Sequence, residues 1–236
     1  MKRRRLGQHY LVDREAVRRI VEAAAIGPHE RVLEIGTGRG ELTRELAGLS
    51  GEFEGYEIDR DNYDATLMAV PEAKGKIRLG DVFEHRPRFD VLVASLPYSR
   101  SSAFIEWLGQ LHYGRAVVVL QEDFVKKVLA EPGTRDYRGV SALAQMSSET
   151  RVLFRLGRGS FSPPPKVSSL VVMMMPRTRL SATEISNVKL LFSLRRRKVS
   201  SVLAKLGMAG GDYGDRRVFS LLPDEVHSLC APRARS

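Results

Sequence analysis

The sequence predicts an α/β fold, in which a mostly parallel sheet carries helices on both faces and a small helical domain follows it. Helix and strand signals alternate along the chain, which is the order expected of βαβ units. Short Val-rich runs such as Val117–Leu120 are typical of strands buried on both faces. Around Pro176–Leu180 this alternation gives way to helical spacing. We therefore expect two domains, residues 1–178 and residues 179–236.

The individual elements follow from apolar spacing and turn residues. The first helix is predicted at Asp13–Ala25, with Asp13 as N-cap and Val17, Ile20, Val21 and Ala24 on one apolar face. The predicted strands are Arg31–Ile35, Glu52–Ile58, Lys76–Leu79, Asp90–Ala94, Arg115–Leu120, Arg151–Leu156 and Ser169–Met175, of which the last two should form an antiparallel edge. The other predicted helices are Glu41–Ala47, Asn62–Ala69, Ser102–Leu111, Phe124–Glu131, Thr183–Leu206 and Asp224–Cys230.

Charge and composition restrict the functional class. The formal net charge of the 236 residues is +10 at pH 7, which favours an anionic partner, most often nucleic acid. A single cysteine, Cys230, excludes an internal disulfide and favours a reducing, cytoplasmic location. The five histidines lack metal-ligand spacing, so we expect no metal site. We also expect no membrane span and no secretory signal, since Met1–Arg5 is basic but no apolar segment follows it. Met1–Arg5 is interpreted as an arm that contacts nucleic acid, or else as a solubilising tail.

A glycine-rich turn follows the strand Arg31–Ile35 and precedes a helix. Its G-x-G-x-G pattern, Gly36 to Gly40, allows the backbone to approach a ligand closely. A dinucleotide fingerprint requires a small residue where Glu41 stands, and both Glu34 and Glu41 would repel a pyrophosphate. A ligand without phosphate and with a positive centre fits better. S-adenosylmethionine, which carries a sulfonium and an ammonium group, is such a ligand.

Acidic residues end the next two predicted strands. Glu57 stands about twenty residues past the glycine turn, where an acid can accept from both ribose hydroxyls. Asp81 follows Gly80 and could accept from the exocyclic amine of an adenine. A single acid at such a place is usually a helix cap. Three strand ends in order, with glycines, Glu57 and Asp81, favour a cofactor site.

The tetrapeptide Ser95–Tyr98 ends the fourth predicted strand. Pro97 cannot donate to a sheet, so the strand must stop there. A small polar side chain, backbone carbonyls and an exposed Tyr98 ring then stand at the carboxyl end of a strand, where ligands bind in open α/β sheets. This set suits a flat base that bears an amino group. The alternative is a proline turn with no further function.

These residues resemble the ribosomal RNA adenine dimethyltransferases, the KsgA-type enzymes of archaea and bacteria, with the erythromycin-resistance methylases as more distant relatives. The resemblance runs nearly end to end and rests on seven motifs in register. These are Gly7–Asp13, Val32–Gly40, Glu57 with Gly80–Asp81, Ser95–Tyr98, Gln121 with Pro132–Tyr137, Phe161–Ser169, and Phe192 with Arg195–Lys198.

The resemblance implies that the chain is a Rossmann-like methyltransferase. It would transfer methyl groups from S-adenosylmethionine to N6 of two adjacent adenosines near the 3′ end of small-subunit (16S) rRNA, with a role in ribosome biogenesis. We also expect the chain to be a monomer. The implied cofactor-binding residues are Gln8, His9, Leu11, Gly36, Gly38, Glu57, Ile58, Asp81, Val82 and Ser95. The implied catalytic residues, which would hold the target base, are Ser95, Leu96, Pro97, Tyr98 and Phe161. The implied RNA-binding residues are Arg3, Arg4, Arg5, Lys166, Arg195, Arg196, Arg197 and Lys198.

Two positions depart from the family pattern. His9 and Ser95 each stand where the family has Asn. The serine hydroxyl is a shorter acceptor than an asparagine carbonyl, so the rate of transfer or the step from mono- to dimethylation could differ. Two alternative functions stay open: an RNA-binding ribosome-assembly factor with weak or no catalysis, and a methylase of 23S rRNA.

Overall fold

The computed structural model describes residues 8–49, 52–208 and 210–232. Its strands are β1 (Tyr10–Leu11), β2 (Arg31–Ile35), β3 (Glu52–Glu57), β4 (Ile77–Leu79), β5 (Val91–Ser95), β6 (Arg115–Gln121), β7 (Ser148–Leu156), β8 (Phe161–Ser162) and β9 (Ser169–Pro176). Its helices are α1 (Arg14–Ala24), α2 (Glu41–Leu46), α3 (Arg60–Ala69), α4 (Ser101–Leu108), α5 (Glu122–Val128), α6 (Gly139–Ser147), α7 (Ala182–Ser193), α8 (Val199–Leu206) and α9 (Pro223–Cys230).

Seven strands form the central sheet in the order β4-β3-β2-β5-β6-β9-β7. The pairs from β4 to β6 are all parallel, whereas β9 runs antiparallel to β6. The prediction of a mostly parallel sheet flanked by helices is therefore confirmed, and both C-terminal strands lie at one edge. Strand order reverses beside β2, so the carboxyl ends of β2, β3 and β5 meet at the place where such sheets bind ligands.

The centre of the sheet is buried because its strands are apolar on both faces. In β5 and β6, Val91–Ala94 and Ala116–Leu120 are at most 1% exposed. Helix α1 begins at its predicted cap, where Asp13 Oδ1 accepts from the N–H groups of Glu15 and Ala16, both at 3.1 Å. These elements give the carboxyl ends of the strands a rigid base.

The chain forms two compact units. The first comprises the described residues up to Phe104, Leu111–Glu122 and Arg151–Pro176, and it contains the two sheets apart from the start of β7. The second comprises Ile105–Gln110, Asp123–Thr150 and the described residues from Arg177 onward. The second unit thus includes segments from the middle of the chain, whereas we predicted a single boundary at 178/179. In the part of the chain described, no helix has the length and apolar character needed to cross a membrane.

Two helical predictions need correction. Helix α6 was not predicted, because its buried small residues give a weak amphipathic pattern and it begins at Gly139. The single helix predicted over Thr183–Leu206 is wrong, since α7 and α8 are separate. Between them, the carbonyls of Arg195 and Arg197 accept from the N–H groups of Phe219 (3.0 Å) and Val218 (3.1 Å). The four basic residues Arg195–Lys198 therefore lie in a turn instead of on a helix.

Candidate active site

A cavity opens in the first unit, at the carboxyl ends of the parallel strands. Every residue predicted to be catalytic or cofactor-binding lines this cavity, with the exception of Leu11. Leu11 lines an adjoining cavity, which shares His9, Gly36, Gly38 and Ser95 with the first. The structure thus brings together residues that the sequence separates by more than 150 positions. The predicted roles of these residues stay predictions.

The glycine turn and Glu57 form one hydrogen-bonded unit. Gly36 and Gly38 have φ values of +77° and +61°, in the left-handed region that favours glycine. Because the turn takes this path, the Gly38 N–H donates to Glu57 Oε2 at 2.9 Å. Glu57 Oε1 accepts from the N–H of Asp59, also at 2.9 Å. Burial raises the pKa of Glu57, while these N–H groups lower it. The carboxyl is fixed and keeps lone pairs for a ligand.

Glu34 lies in β2, two residues before Gly36, and is completely buried. Its Oε2 accepts from the Thr43 hydroxyl at 2.7 Å, but its Oε1 has no hydrogen-bond partner among the residues that the structure describes. Burial raises the pKa of Glu34 to about 8, and the charges of Glu57 and Glu41 act in the same direction. Glu34 also lines the adjoining cavity. A buried carboxyl with a free oxygen suits a cationic ligand group.

We noted Glu34 in the sequence but assigned it no ligand-binding role. Its place between the apolar residues Leu33 and Ile35 of β2, two positions before Gly36, was the available signal.

Asp81 begins a short turn after β4 and faces the larger cavity. Its Oδ1 accepts from the Phe83 N–H at 3.0 Å, and its Oδ2 forms an ion pair with Arg100. Asp81 therefore caps a turn, which was the simpler interpretation, and also lines the cavity. Arg100, which lies on the turn after Ser95–Tyr98, was not among the predicted residues. In the sequence, a single arginine that follows the motif Ser95–Tyr98 does not indicate which carboxylate it pairs with.

Tyr98 is held from two directions. Its hydroxyl is hydrogen-bonded to the Ser169 hydroxyl at 2.8 Å, and the centroid of its ring lies 5.5 Å from that of His9. Burial raises the pKa of Tyr98, with the Ser169 hydrogen bond acting against this shift. The ring is thus half-buried, not exposed as predicted, and its hydroxyl end meets Ser169 of β9. Pro97 ends β5 as expected and starts a short 3₁₀ turn.

The two-stranded sheet of β1 and β8 brings the N-terminal segment to the cavity. Leu11 pairs with Phe161, and the Nδ1–H of His9 donates to the carbonyl of Pro163 at 2.7 Å. Phe161 is 4% exposed and belongs to the hydrophobic core, but it also forms part of the cavity wall. Its packing role is thus observed, while its stacking on a base remains a prediction.

A family model described as ribosomal RNA adenine dimethylase matches residues 1–213 of the chain. The chain belongs to this family. It is accordingly an rRNA adenine dimethyltransferase, as its motifs indicated, with the fold of S-adenosylmethionine-dependent methyltransferases.

Individual proteins agree with this assignment. The probable ribosomal RNA small subunit methyltransferase A of Thermococcus gammatolerans is 34% identical over 241 residues, which are 94% of this chain and 86% of that protein. The structure of the 23S rRNA methyltransferase ErmE is 27% identical, with a TM-score of 0.63, and covers 93% of this chain and 97% of its own. A dimethyladenosine transferase structure from Plasmodium falciparum shares the fold, with a TM-score of 0.78, 22% identity, and coverage of 94% and 96%.

The residues predicted to bind RNA in this dimethyltransferase lie in different places. Lys166 is exposed in the first unit, and Arg196, Arg197 and Lys198 are exposed in the second. Arg195 instead donates to the carbonyls of Arg135 (3.2 Å) and Tyr137 (3.5 Å) within the second unit, so it braces the backbone there. Lys198 is paired with Asp215. Arg3, Arg4 and Arg5 lie outside the described residues.

Side chains of His, Cys, Asp and Glu occur throughout the described ranges 8–49, 52–208 and 210–232. Within them, no three or more His, Cys, Asp or Glu residues cluster in a way that could hold a metal ion. Cys230 is buried, and burial raises the pKa of its thiol to about 12. A thiol of that pKa is a poor nucleophile at neutral pH.

Proposed function

We propose that this chain dimethylates N6 of two adjacent adenosines near the 3′ end of small-subunit (16S) rRNA, with S-adenosylmethionine as donor, during ribosome biogenesis. One observation carries the proposal: a single cavity joins Glu57 and Asp81 to the turn Ser95–Tyr98. The carboxyls suit an adenosine-containing cofactor and the turn suits a second, target adenine. The name of the 34%-identical archaeal relative favours the small subunit.

The polar groups of the two cavities fit S-adenosylmethionine better than a phosphate-bearing cofactor. Glu34 offers a buried, unpartnered oxygen to the ammonium group. Glu57 and Asp81 offer acceptors to the ribose hydroxyls and to the adenine amine. Ile58, 49% exposed, offers an apolar surface to the adenine ring. The carboxylates of Glu57 and Asp81 would repel a pyrophosphate, whereas the ribose hydroxyls and the adenine amine are donors from which they can accept.

When bound, S-adenosylmethionine supplies an electrophilic methyl group. The chain must supply the geometry of the attacking amine, whose lone pair is delocalised into the purine ring. The Ser95 hydroxyl or carbonyl and the Leu96 carbonyl would accept the two N6 hydrogens and favour a pyramidal nitrogen. Because these acceptors are fixed at the end of a buried strand, they need no reorganisation during transfer. A strong general base is not required, since the methylated amine is itself acidic.

Tyr98 and Phe161 would stabilise an adenine that has left its stack in the RNA. Base–aromatic stacking contributes roughly 1–3 kcal/mol per base, which offsets part of the cost of extrusion. The hydrogen bond between the Tyr98 and Ser169 hydroxyls fixes the tyrosine ring before a base arrives. Little side-chain entropy is then lost on binding.

RNA phosphates would be bound by the exposed cations. Lys166, Arg196 and Arg197 are exposed, and the formal net charge of the chain is +10. Affinity for RNA should therefore fall steeply as salt concentration rises.

The proposal is tested by methyl transfer from labelled S-adenosylmethionine to purified ribosomal subunits that lack the modification. We expect label in the small-subunit rRNA, loss of transfer in Tyr98→Ala, and retention in the matched control Ser99→Ala on the exposed side of the same turn. Label in the large subunit alone would indicate the 23S alternative. Binding of small subunits without transfer would indicate an assembly factor.

A further inference from the structure

Arg100 makes a contact in the cavity that the proposed function does not use. Its guanidinium pairs with Asp81 Oδ2 and also lies over the ring of Phe83, with Cζ 4.6 Å from the ring centroid. All three residues line the cavity. The side chains of Arg100 and Asp81 are only 34% and 20% exposed. The pair is therefore partly shielded from solvent and stands where a ligand would contact it.

The two contacts of Asp81 fix the plane of its carboxylate. Oδ1 accepts from the Phe83 N–H at 3.0 Å, and Oδ2 is held by Arg100. An aspartate held through one oxygen can still turn about its terminal torsion, which is broad. The second contact removes that freedom, because the guanidinium is planar and is itself held against Phe83. Each carboxylate oxygen keeps a lone pair, so the direction in which Asp81 can accept is set before a ligand binds.

Arg100 could instead act through the neighbouring turn. It ends the 3₁₀ turn that begins at Tyr98, so its loss could disturb the target-base site and leave cofactor binding unchanged. The two roles differ in what they change. A role through Asp81 alters the affinity for one hydrogen-bonding group of the cofactor, whereas a role through the turn alters the rate of transfer.

We propose that Arg100 is a positioning residue that makes the cavity selective for a 6-aminopurine, by orienting Asp81 to accept from the exocyclic amine. This inference rests on the proposed function, in that it takes the cavity to bind the adenosine of S-adenosylmethionine. It assigns a specificity role to a residue outside the motifs that the sequence analysis singled out.

The test compares the binding of two ligands by calorimetry. One is S-adenosylhomocysteine, and the other is its analogue with hydrogen in place of the exocyclic amine. In the unmodified chain, loss of the amine should weaken binding about tenfold or more, as for a hydrogen bond to a charged group. In Arg100→Leu, affinity for S-adenosylhomocysteine should fall by a similar factor. The affinity of Arg100→Leu for the analogue should stay within about twofold of that of the unmodified chain.

Two further variants keep the test decisive. Arg100→Lys retains the charge but lacks the planar guanidinium. Its preference for the ligand with the amine should therefore lie between that of the unmodified chain and that of Arg100→Leu. Arg18→Leu removes an exposed arginine of α1 and should bind both ligands as the unmodified chain does. If Arg100→Leu does not fold, as judged by thermal melting, an undiminished preference in Arg100→Lys overturns the inference.

Kinetics separate the two possible roles of Arg100. With saturating cofactor, Arg100→Leu should retain kcat within about twofold and show a raised KM for S-adenosylmethionine. A large fall in kcat with unchanged cofactor KM, or an equal amine preference in Arg100→Leu and the unmodified chain, would overturn the inference. Failure of the unmodified chain to bind S-adenosylhomocysteine at all would overturn the proposed function itself and this inference with it.

Discussion

Replacing the buried Glu34 with glutamine should remove a dependence of stability on pH. Burial raises the pKa of this carboxyl to about 8, from an ordinary value of 4.5. Between these two pH values the folded chain keeps a proton that the unfolded chain releases. The free energy of unfolding should therefore fall as pH rises from about 4.5 to about 8.

The expected size follows from the shift. At roughly 1.4 kcal/mol per pKa unit, a rise from 4.5 to about 8 corresponds to at most about 5 kcal/mol of stability lost above pH 8. Glutamine has nearly the same shape as protonated glutamate and can still accept from the Thr43 hydroxyl. Glu34→Gln should thus match the unmodified chain near pH 5 and exceed it by several kcal/mol near pH 9.

The assay is urea unfolding of both proteins at several pH values between 5 and 9, with Glu45→Gln on the exposed side of α2 as a matched control. The difference in unfolding free energy between Glu34→Gln and the unmodified chain should grow with pH, and the control should show no such growth. A difference that stays constant over this range would refute the assignment of a raised pKa to Glu34.

Three other substitutions test the site and the fold. Glu57→Ala removes the carboxyl fixed by the Gly38 N–H, so calorimetry should show at least about tenfold weaker binding of S-adenosylhomocysteine. Unchanged affinity would count against the ribose role, and Glu52→Ala at the exposed start of β3 is the control. Asp13→Ala removes the cap of α1 and should lower the free energy of unfolding by about 1 kcal/mol; a change below experimental error would show that the cap contributes nothing. Arg115→Ala removes donors to the carbonyls of Ala24 and Ala25, both at 2.6 Å. Urea unfolding should show a free energy of unfolding that is lower by about 2–3 kcal/mol. If Arg115→Ala lowers the free energy of unfolding no more than Arg155→Ala at an exposed position does, these hydrogen bonds do not stabilise the fold.

The sheet and the place of the site were predictable because local sequence determines both. Val91–Ala94 and Val117–Leu120 are short, Val-rich continuous apolar runs, which are typical of strands buried on both faces. Glu57 is the last residue of β3 and Asp81 follows β4 after one residue, and parallel strands bring their carboxyl ends to one edge. Chain order alone then places them beside the glycine turn.

Contacts between distant segments were not predictable in this way. Tyr98 is half-buried because Ser169, which is 71 residues away, reaches its hydroxyl. The pair of Arg100 and Asp81 likewise depends on how two loops meet in space. Phe161 carries a motif signal, yet its burial in the core follows from its pairing with Leu11. The spacing of residues in the sequence predicts neighbours within one helix or strand, but it does not predict contacts between residues that are distant in the chain.

The run Arg195–Lys198 shows the same limit in the second unit. Its helical spacing was compatible with one long helix, but its backbone carbonyls pair with Val218 and Phe219. The partners of these carbonyls lie about twenty residues further along the chain. Closing a loop of that length costs only a little more entropy than closing a shorter one.

The most direct test of the proposed activity is mass spectrometry of the 3′-terminal fragment of small-subunit rRNA, after unmodified subunits have reacted with the chain and S-adenosylmethionine. We expect two adjacent N6,N6-dimethyladenosines in that fragment. Unmethylated adenosines at those positions, with the subunit still bound by the chain, would contradict the proposed function.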